Sequence, residues 1–297
     1  MKATERGFLL LSSHLGNANR KPLTAAQLRT LAERLQTMEK PAADRELELG
    51  DLTALGYGAG MAQRIMQLLD EADVLEYYIQ KGAKFGCTPI TRASDGYPLL
   101  LRKRLGLDCP GTLWAKGDLS LLSEPMVALV GSRDIADENR AFAEAVGIQA
   151  ARQGYVLVSG NARGADKTAQ NACLAAGGRV VIVVADELAK QPFRENVLYL
   201  SEDGFGEAFS FQRALSRNRV IHALGTKTFV AQAALGVGGT WDGTVKNLRS
   251  GWSSVYCFDD GSEAMEQLSQ MGANLIGRGD LDSFYNLPEP ELNLFDR

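Results

Sequence analysis

From Met126 onward the chain alternates short runs rich in Val and Ile with helical patterns, and this alternation constrains the fold more than any other feature. The apolar runs cover 127–130, 155–158, 180–184, 228–230 and 254–258. The helical patterns cover 138–152, 167–176, 212–224, 243–250 and 263–271. Strands that alternate with helices are typical of βαβ units. We therefore predict an α/β fold, a Rossmann-like and mostly parallel sheet with helices on both faces.

The first third of the chain has a different pattern. Apolar residues recur at helical spacing over 25–38 and 61–78, and nothing there alternates with a period of two. Turn-forming residues then cluster at 95–98 and 109–111. We predict four segments: a small helical domain of SAM or helix-hairpin-helix type (1–90), a linker (91–125), the sheet domain (126–278) and a loosely packed acidic tail (279–297).

Composition excludes several classes of protein. The chain has 297 residues, 45% hydrophobic and 23% charged, an ordinary globular balance that suits about two domains and argues against disorder, collagen or a disulfide scaffold. Its four cysteines form no CxxC pair, so we expect neither a zinc site nor disulfides. No signal peptide and no 18-residue apolar run is recognisable, so we expect a soluble cytoplasmic protein that does not bind a membrane.

The net charge of −4 argues at first against a polyanionic partner, but its distribution removes that objection. Basic and acidic residues number 16 and 14 in 1–120, 14 and 13 in 121–255, and 2 and 9 in 256–297. The acidity therefore lies at the C-terminal end. We hypothesise that the tail competes for a basic pocket.

Ligands of an open parallel sheet bind beyond the carboxyl ends of its strands, so the loops there hold the candidate site. These loops combine small residues, hydroxyls and arginines, which suit phosphate through backbone N–H groups and guanidinium forks. The alternative is that they only form tight turns between strands and helices. The candidate binding residues are Gly131, Ser132, Arg133, Ser159, Gly160, Asn161, Arg163, Gly164, Asp166, Lys167, Arg217, Asn218, Arg219, Gly238, Gly239 and Thr240.

Arg217 adds an argument of its own. On a continuous helix it shares the apolar stripe of Ile221 and Leu224, and a guanidinium on such a stripe needs an anion. Asp166 or a bound phosphate could supply that anion, and the sequence leaves both open.

Signatures of catalysis are missing. The sequence contains no P-loop, no GxGxxG after a strand and no GxSxG. His222 fits a packed residue better than a catalyst, and Asp166 and Asp242 fit helix capping and pairing with cations better than acid–base work. We predict no catalytic residues, no metal and no cofactor. The glycine turn at 55–60 suits either a plain helix–helix turn or a contact to a nucleic-acid phosphate.

Several segments together resemble the DNA-processing protein A family, also called Smf, within the Rossmann-like superfamily that includes the LOG phosphoribohydrolases. The resemblance runs from about Asp95 to Ile276. Its pieces are Asp95-Gly96-Tyr97-Pro98, Leu113 to Asp118, Val127 to Arg133, Ser159 to Asp166, Ser216 to Ile221 and Gly272 to Ile276.

The resemblance implies a cytoplasmic, usually dimeric protein that binds single-stranded DNA in the positive pocket of its Rossmann-like domain. It also implies that the protein protects incoming DNA in natural transformation, passes it to the recombinase RecA in recombination, and catalyses no reaction. The alternative within the superfamily is a nucleotide sensor or a nucleoside-monophosphate phosphoribohydrolase.

The chain departs from the family pattern at three places. It has Gln170 where the family usually has His, and Gly238-Gly239-Thr240-Trp241 where the family has a Ser-Gly-Ser turn. Lys246 and Asn247 follow Thr244 where the hydrolases have a glutamate, which counts against the hydrolase. We also expect no winged-helix domain after residue 280. These departures indicate a divergent branch, and they weaken the transformation role more than DNA binding.

Overall fold

The computed structural model of the chain describes residues 1–17, 19–38 and 46–288. These residues fall into two compact units. The first contains Met1–Lys116, Glu187–Gln191 and Leu200–Ala208, and the second contains Gly117–Asp186, Pro192–Tyr199 and the chain from Phe209 onward.

The first unit is mainly helical. Its elements are α1 (Ala3–Ser12), α2 (Ala25–Leu35), α3 (Leu49–Ala54), α4 (Ala59–Leu69), α5 (Ala72–Lys84), β1 (Cys87–Thr91), α6 (Leu99–Leu105) and β2 (Thr112–Lys116). The strands β1 and β2 pair antiparallel, with Cys87 opposite Lys116. Thr24 and Gln27 form a capping box at the start of α2.

Two features hold this unit together. Leucines and Ile65 from α1, α2, α3 and α4 form one buried cluster. Arg20 is buried and donates to the carbonyls of Leu10, Ser13 and Leu68, and it pairs with Glu71 at 2.5 Å. Because one guanidinium satisfies the carbonyls of several segments, Arg20 fixes the loop after α1 to the helices around it.

An aromatic cluster explains why a segment from late in the chain belongs to the first unit. The ring of Phe205 stacks on Tyr78 with centroids 4.4 Å apart and lies 5.1 Å from Trp114. A Cβ on Gly82 would lie 2.8 Å from the Trp114 ring, so α5 needs glycine where the cluster packs.

The second unit is an α/β sheet. Its elements are β3 (Met126–Val130), α7 (Asp137–Arg152), β4 (Val156–Ser159), α8 (Ala165–Ala175), β5 (Arg179–Val183), most of β6 (Val197–Ser201), α9 (Phe211–Ser216), α10 (Asn218–Leu224), β7 (Lys227–Val230), α11 (Gly238–Ser250), β8 (Ser254–Phe258), α12 (Glu263–Gln270) and β9 (Asn274–Ile276). The strands β3, β4 and β7 are buried along their whole length, as expected when helices cover both faces of a parallel sheet.

The strand order places a switch point beside β3. The order is β5-β4-β3-β7-β8-β9, and every adjacent pair in this part is parallel. The chain leaves β3 toward β4 on one side and leaves β7 toward β8 on the other. The carboxyl ends of β3 and β7 therefore flank the crevice where ligands of such sheets bind.

The predicted fold class is confirmed, because the chain is an α/β protein with a mostly parallel sheet and a helical N-terminal region. The described residues contain nine strands, whereas the sequence analysis predicted five. The missed strands are β1, β2, β6 and β9. The predicted helix over 61–78 is two helices that meet at Asp70 and Glu71, and the predicted helix over 212–224 breaks at Arg217.

The predicted segment boundaries differ from the structure in two places. The expected linker 91–125 contains α6 and β2. The expected loose tail begins with packed residues: Leu281, Phe284 and Leu287 are buried, and the Phe284 N–H donates to Gln153 Oε1 at 2.7 Å. The apolar side chains at 281, 284 and 287 pack in the core. The acidic composition of the segment did not indicate this packing. Residues 289–297 lie outside the described residues.

No helix among the described residues is both long enough and apolar enough to cross a membrane.

Candidate functional site

The candidate site lies in the second unit, at the carboxyl ends of β3, β4 and β7. The structure brings all four predicted segments to this edge. Ser132 follows β3, the loop 160–164 joins β4 to α8, Arg217 separates α9 from α10, and Gly238 begins α11 after β7.

The loop after β3 is tied across the switch point. The Ser132 N–H and Oγ both donate to the Gln232 carbonyl, at 3.0 and 3.2 Å. A Cβ on Gly131 would lie 2.4 Å from the Ala165 Cβ, so only glycine lets α8 approach β3 this closely. The N–H and Oγ donors of Ser132 are therefore already hydrogen-bonded within the protein.

The loop after β4 is also satisfied internally. Asp166 Oδ2 accepts from the N–H of Gly160 at 3.2 Å and of Ala162 at 3.1 Å. The Ala165 N–H donates to the Ser132 carbonyl at 3.2 Å. From the sequence we expected the backbone donors of this loop to hold a phosphate, but the buried Asp166 carboxylate already accepts from two of them.

The buried carboxylate of Asp166 lies near enough to Arg217 for the two charges to interact, so Asp166 is available as the anion for this guanidinium. Burial raises the pKa of Asp166, and the Arg217 charge together with the two backbone N–H groups opposes that rise.

Gly160 makes room for Arg217. A Cβ at Gly160 would lie 1.5 Å from Arg217 Nη1 and 2.2 Å from Cζ. The guanidinium thus lies directly on the backbone at the end of β4. Arg217 takes this position from the break between α9 and α10, where it caps both helices, while Ile221 and Leu224 are buried on α10.

The cationic side chains around this edge differ in their exposure and in whether they contact other side chains of the protein. Arg133 is exposed and makes no ion pair with any described residue. Arg163 pairs with Asp134 at 2.9 Å, and both side chains are largely exposed. Lys167 donates to Asn161 Oδ1. Its pKa is lowered first by burial and then by the Arg194 charge, whereas Asp166 and Asp186 raise it.

The loop after β7 brings the N-terminus of α11 to the edge. Val237 is the N-cap residue and provides no side-chain hydrogen bond. Asn218 Nδ2 donates to the Gly239 carbonyl at 3.0 Å, so the start of α10 is fixed to the start of α11. Thr240 is half-buried in the first turn of α11.

A buried polar cluster lies beneath this contact. His222 Nδ1 lies 3.1 Å from Asn247 Nδ2, and Asn247 also bonds Ser253. Burial, and secondly the Arg217 charge, lowers the pKa of His222 to about 3. A neutral and fully buried imidazole agrees with the interpretation of His222 as a packed residue.

Asp242 likewise forms an i,i+4 ion pair with Lys246 at 2.7 Å, in line with pairing rather than acid–base work. Among the described residues, no group of three or more His, Cys, Asp or Glu side chains is placed to hold a metal ion.

Three residues of the site escaped the sequence analysis. Arg194 is exposed, and its charge reaches Lys167. Arg213 Nη1 donates to the Ala185 carbonyl just beyond β5, at 2.8 Å. Gln232 accepts from the Ser132 N–H through its carbonyl and from the Ala136 N–H through its side chain. Arg194 lies three residues before β6, so the rule that ligands bind at carboxyl ends does not indicate it, and only the folded structure brings its charge to Lys167.

The fold and the site together define a class: a Rossmann-like domain without a P-loop, whose switch point carries a cluster of arginines. The model of the family described as DNA recombination-mediator protein A matches residues 88–280. The chain belongs to this DNA-processing family.

Individual relatives agree with this assignment. The DNA processing protein DprA of Streptococcus pneumoniae is 31% identical over 252 residues, which cover 80% of this chain and 86% of the relative. Its solved structure superposes with a TM-score of 0.74 at 28% identity and covers 95% of this chain and 97% of that chain. The protein Smf of a Synechocystis strain is 27% identical over 69% of this chain, and the match covers 54% of the relative.

A more distant solved structure, DNA processing protein A from Helicobacter pylori, shares the fold. Its TM-score is 0.54 at 19% identity, over 66% of this chain and 94% of that chain. Its description concerns the single-stranded DNA binding mode of the Helicobacter protein.

Proposed function

We propose that the chain binds single-stranded DNA at the switch point of its sheet, without catalysis, and that it passes the strand to the recombinase RecA. The observation that carries the proposal is the arrangement of cations at this edge. The Arg217 guanidinium lies over Gly160 near the Asp166 carboxylate, and Arg133 is exposed in the loop after β3. Arg194 is also exposed, and its charge lowers the pKa of Lys167. Guanidinium groups bind phosphodiester oxygens and leave the bases unread.

The family assignment and the single-stranded DNA binding described for the Helicobacter pylori relative support the choice of ligand. The internal hydrogen bonds of the loops change which groups we expect to bind phosphate. Because the backbone donors of Gly160 and Ala162 are occupied, we assign phosphate binding chiefly to arginine side chains.

The binding experiment compares Arg133→Ala combined with Arg194→Ala against Arg152→Ala. Arg152 is also an exposed arginine, but it lies in the last turn of α7, at the opposite end of the sheet. We expect the double variant to bind a single-stranded oligonucleotide about tenfold more weakly or worse, with a salt dependence reduced by about 0.7 per lost phosphate contact. Equal affinities of the double variant and Arg152→Ala would contradict the assignment.

The remaining parts of the proposal have their own tests. We propose a homodimer in the cytoplasm, to be tested by sedimentation of the purified chain and by fractionation of the host cell. RecA assembly on a single strand should be faster in the presence of the chain.

Release of free base from nucleoside monophosphates at a catalytic rate would instead favour a phosphoribohydrolase, although Lys246 and Asn247 stand where those enzymes have their glutamate.

A further inference from the structure

The loop that joins β7 to α11 carries exposed apolar side chains at the candidate site. The exposed fractions of its two large aliphatic side chains are 40% for Leu235 and 63% for Val237. A single exposed aliphatic residue is common on a protein surface. Two in one short loop are more informative here, because the loop lies beyond the carboxyl end of β7, where ligands of such a sheet bind.

Residues 234–237 form a tight turn, which we call the aliphatic turn. Ala234 and Val237 pair in an isolated antiparallel bridge, and the Val237 N–H donates to the Ala234 carbonyl at 3.4 Å. Gly236 has a φ of 70°, a left-handed conformation that favours glycine at the third position of a turn. Leu235 and Gly236 are therefore the two central residues, and all four residues of the turn are exposed.

The start of the loop is bonded to the segment that carries Arg133. The Gln232 carbonyl accepts from the N–H and the Oγ of Ser132, the residue before Arg133, at 3.0 and 3.2 Å. The side chain of Gln232 accepts from the Ala136 N–H at 3.0 Å. Three hydrogen bonds therefore keep the start of the loop beside the segment after β3.

The end of the loop is bonded to the segment that carries Arg217. The Gly239 carbonyl accepts from Nδ2 of Asn218, the residue after Arg217, at 3.0 Å. A Cβ on Gly239 would lie 3.3 Å from the same Nδ2 atom, so the two segments are closely packed. The aliphatic turn therefore lies between two contacts, each next to an arginine of the candidate site.

The loop itself offers no charge to a phosphate. Residues 231–239 contain no charged side chain, and Gln232 is the one polar residue among them. A single strand of DNA alternates anionic phosphates with flat bases, whose faces are its most apolar surface. The part of such a strand that suits an uncharged aliphatic surface between two arginines is therefore a base.

We infer that Leu235 and Val237 contact the base faces of the bound strand while the arginines hold its phosphates. The inference rests on the proposed binding of single-stranded DNA. Leucine side chains that contact base faces in a duplex must first unstack the bases, whereas the bases of a single strand are accessible. The aliphatic turn therefore favours single strands. It reads no sequence, because an aliphatic side chain forms no hydrogen bond with a base edge.

The test measures affinity for two probes of equal length, an oligo-dT strand and the same backbone without bases. The variant combines Leu235→Ala with Val237→Ala. We expect it to bind oligo-dT about 5- to 30-fold more weakly, as for the loss of aliphatic surface from a buried contact. Its affinity for the abasic strand should stay unchanged, whereas Arg133→Ala should weaken the binding of both probes.

Two further variants keep the test sharp. Met271→Ala is the matched control, because Met271 is 43% exposed but follows α12 at the opposite end of the sheet, and its affinity for oligo-dT should equal that of the unmodified chain. Leu235→Met keeps an aliphatic side chain at the tip of the turn and should also bind oligo-dT like the unmodified chain. The thermal midpoint of each variant shows that it is folded.

The outcomes separate this inference from the proposed function. If the unmodified chain binds neither probe, the proposed function fails. If it binds oligo-dT and the double variant binds equally well, the aliphatic turn does not contact bases. An equal loss for both probes would place the turn in phosphate binding and overturn the inference. A double variant that keeps its affinity for oligo-dT but no longer accelerates RecA assembly would show a protein-docking surface instead.

Discussion

Gly160 and Arg217 show how a single missing side chain positions a charge. The backbone at Gly160 lies where a Cβ would overlap the guanidinium of Arg217. The sequence placed both residues in the candidate site, but it assigned Gly160 to backbone donation. The contact is between residues 57 positions apart, so no local pattern could indicate it.

We predict that Gly160→Ala displaces the Arg217 guanidinium without removing its charge. Because the clash is with the end of a flexible side chain, the fold should survive, with a loss of about 1–3 kcal/mol at most. Affinity for single-stranded DNA should fall about tenfold, as measured by fluorescence anisotropy. Gly279→Ala is the control, since a Cβ there meets nothing within 4 Å. Unchanged affinity in Gly160→Ala would remove Arg217 from the binding site.

His222 makes the stability of the second unit depend on pH. Its pKa is about 3 in the folded chain against 6.5 as the ordinary value, so the unfolded chain takes up the proton first as the pH falls. Stability is therefore complete above pH 6.5 and decreases below it, until the folded chain also protonates near pH 3.

At pH 5 we expect a loss of about 2 kcal/mol from this group. Denaturant unfolding at pH 7 and pH 5 measures it, and His222→Gln should show a correspondingly smaller difference between the two pH values. A variant with the same pH dependence as the unmodified chain would assign the effect to other groups.

At the scale of elements, the close approach of α7 and α8 depends on Gly147. A Cβ there would lie 2.2 Å from the Ala169 carbonyl oxygen, a backbone atom that cannot rotate away. The α8 helix in turn supplies Asp166 and Lys167 to the site. A change in the distance between α7 and α8 would therefore displace Asp166 and Lys167 at the binding edge.

Gly147→Ala should destabilise the chain by about 1–3 kcal/mol. The sign of this change in the free energy of unfolding tests the contact, because Gly→Ala inside an unconstrained helix stabilises a protein by about 0.5–1 kcal/mol. Chemical denaturation measures the change, with Glu144→Ala on the exposed face of the same helix as the comparison. A stabilised Gly147→Ala variant would refute the close contact.

The elements that the sequence analysis predicted are those with strong local patterns. All five predicted strands agree with the structure within one residue at each end. The strand β6 was missed because it follows a loop without periodicity, and β9 because three residues carry too little pattern. The break at Arg217 was missed because Arg217, Ile221 and Leu224 keep helical spacing across it.

At the scale of the whole molecule, the acidic C-terminal end limits how a tail experiment can be done. Leu281 and Phe284 are fully buried, and the Pro288 carbonyl accepts from Tyr256 Oη at 3.0 Å. Removing residues from 279 onward would therefore damage the core. A truncation after Pro288 keeps these contacts and still removes Glu289, Glu291 and Asp296.

If the acidic tail competes for the basic edge, this truncation tightens the binding of single-stranded DNA at low salt. The gain should disappear at high salt, where the attraction between the tail and the edge is screened. Replacing the three acidic residues by their amides should reproduce the gain. Equal affinities of truncated and full chains at low salt would refute the competition.

The organisation of the molecule was harder to predict than its fold class. The helical and sheet regions were recognisable from their patterns, but the segment 200–208 joins the first unit through Phe205, far along the chain from Tyr78 and Trp114. Contacts of this kind depend on tertiary packing, and a single sequence does not record them. The same holds for Arg194, which lies 27 positions along the chain from Lys167 and still lowers its pKa.

The central claim is that the arginine edge of the sheet binds single-stranded DNA. The most direct measurement is the affinity of the unmodified chain for one oligonucleotide, single-stranded and as a duplex, at about 50 mM and about 200 mM salt. We predict tighter binding of the single strand and a steep decrease of its affinity with salt. Absent binding, or affinity that is independent of salt, would contradict the claim.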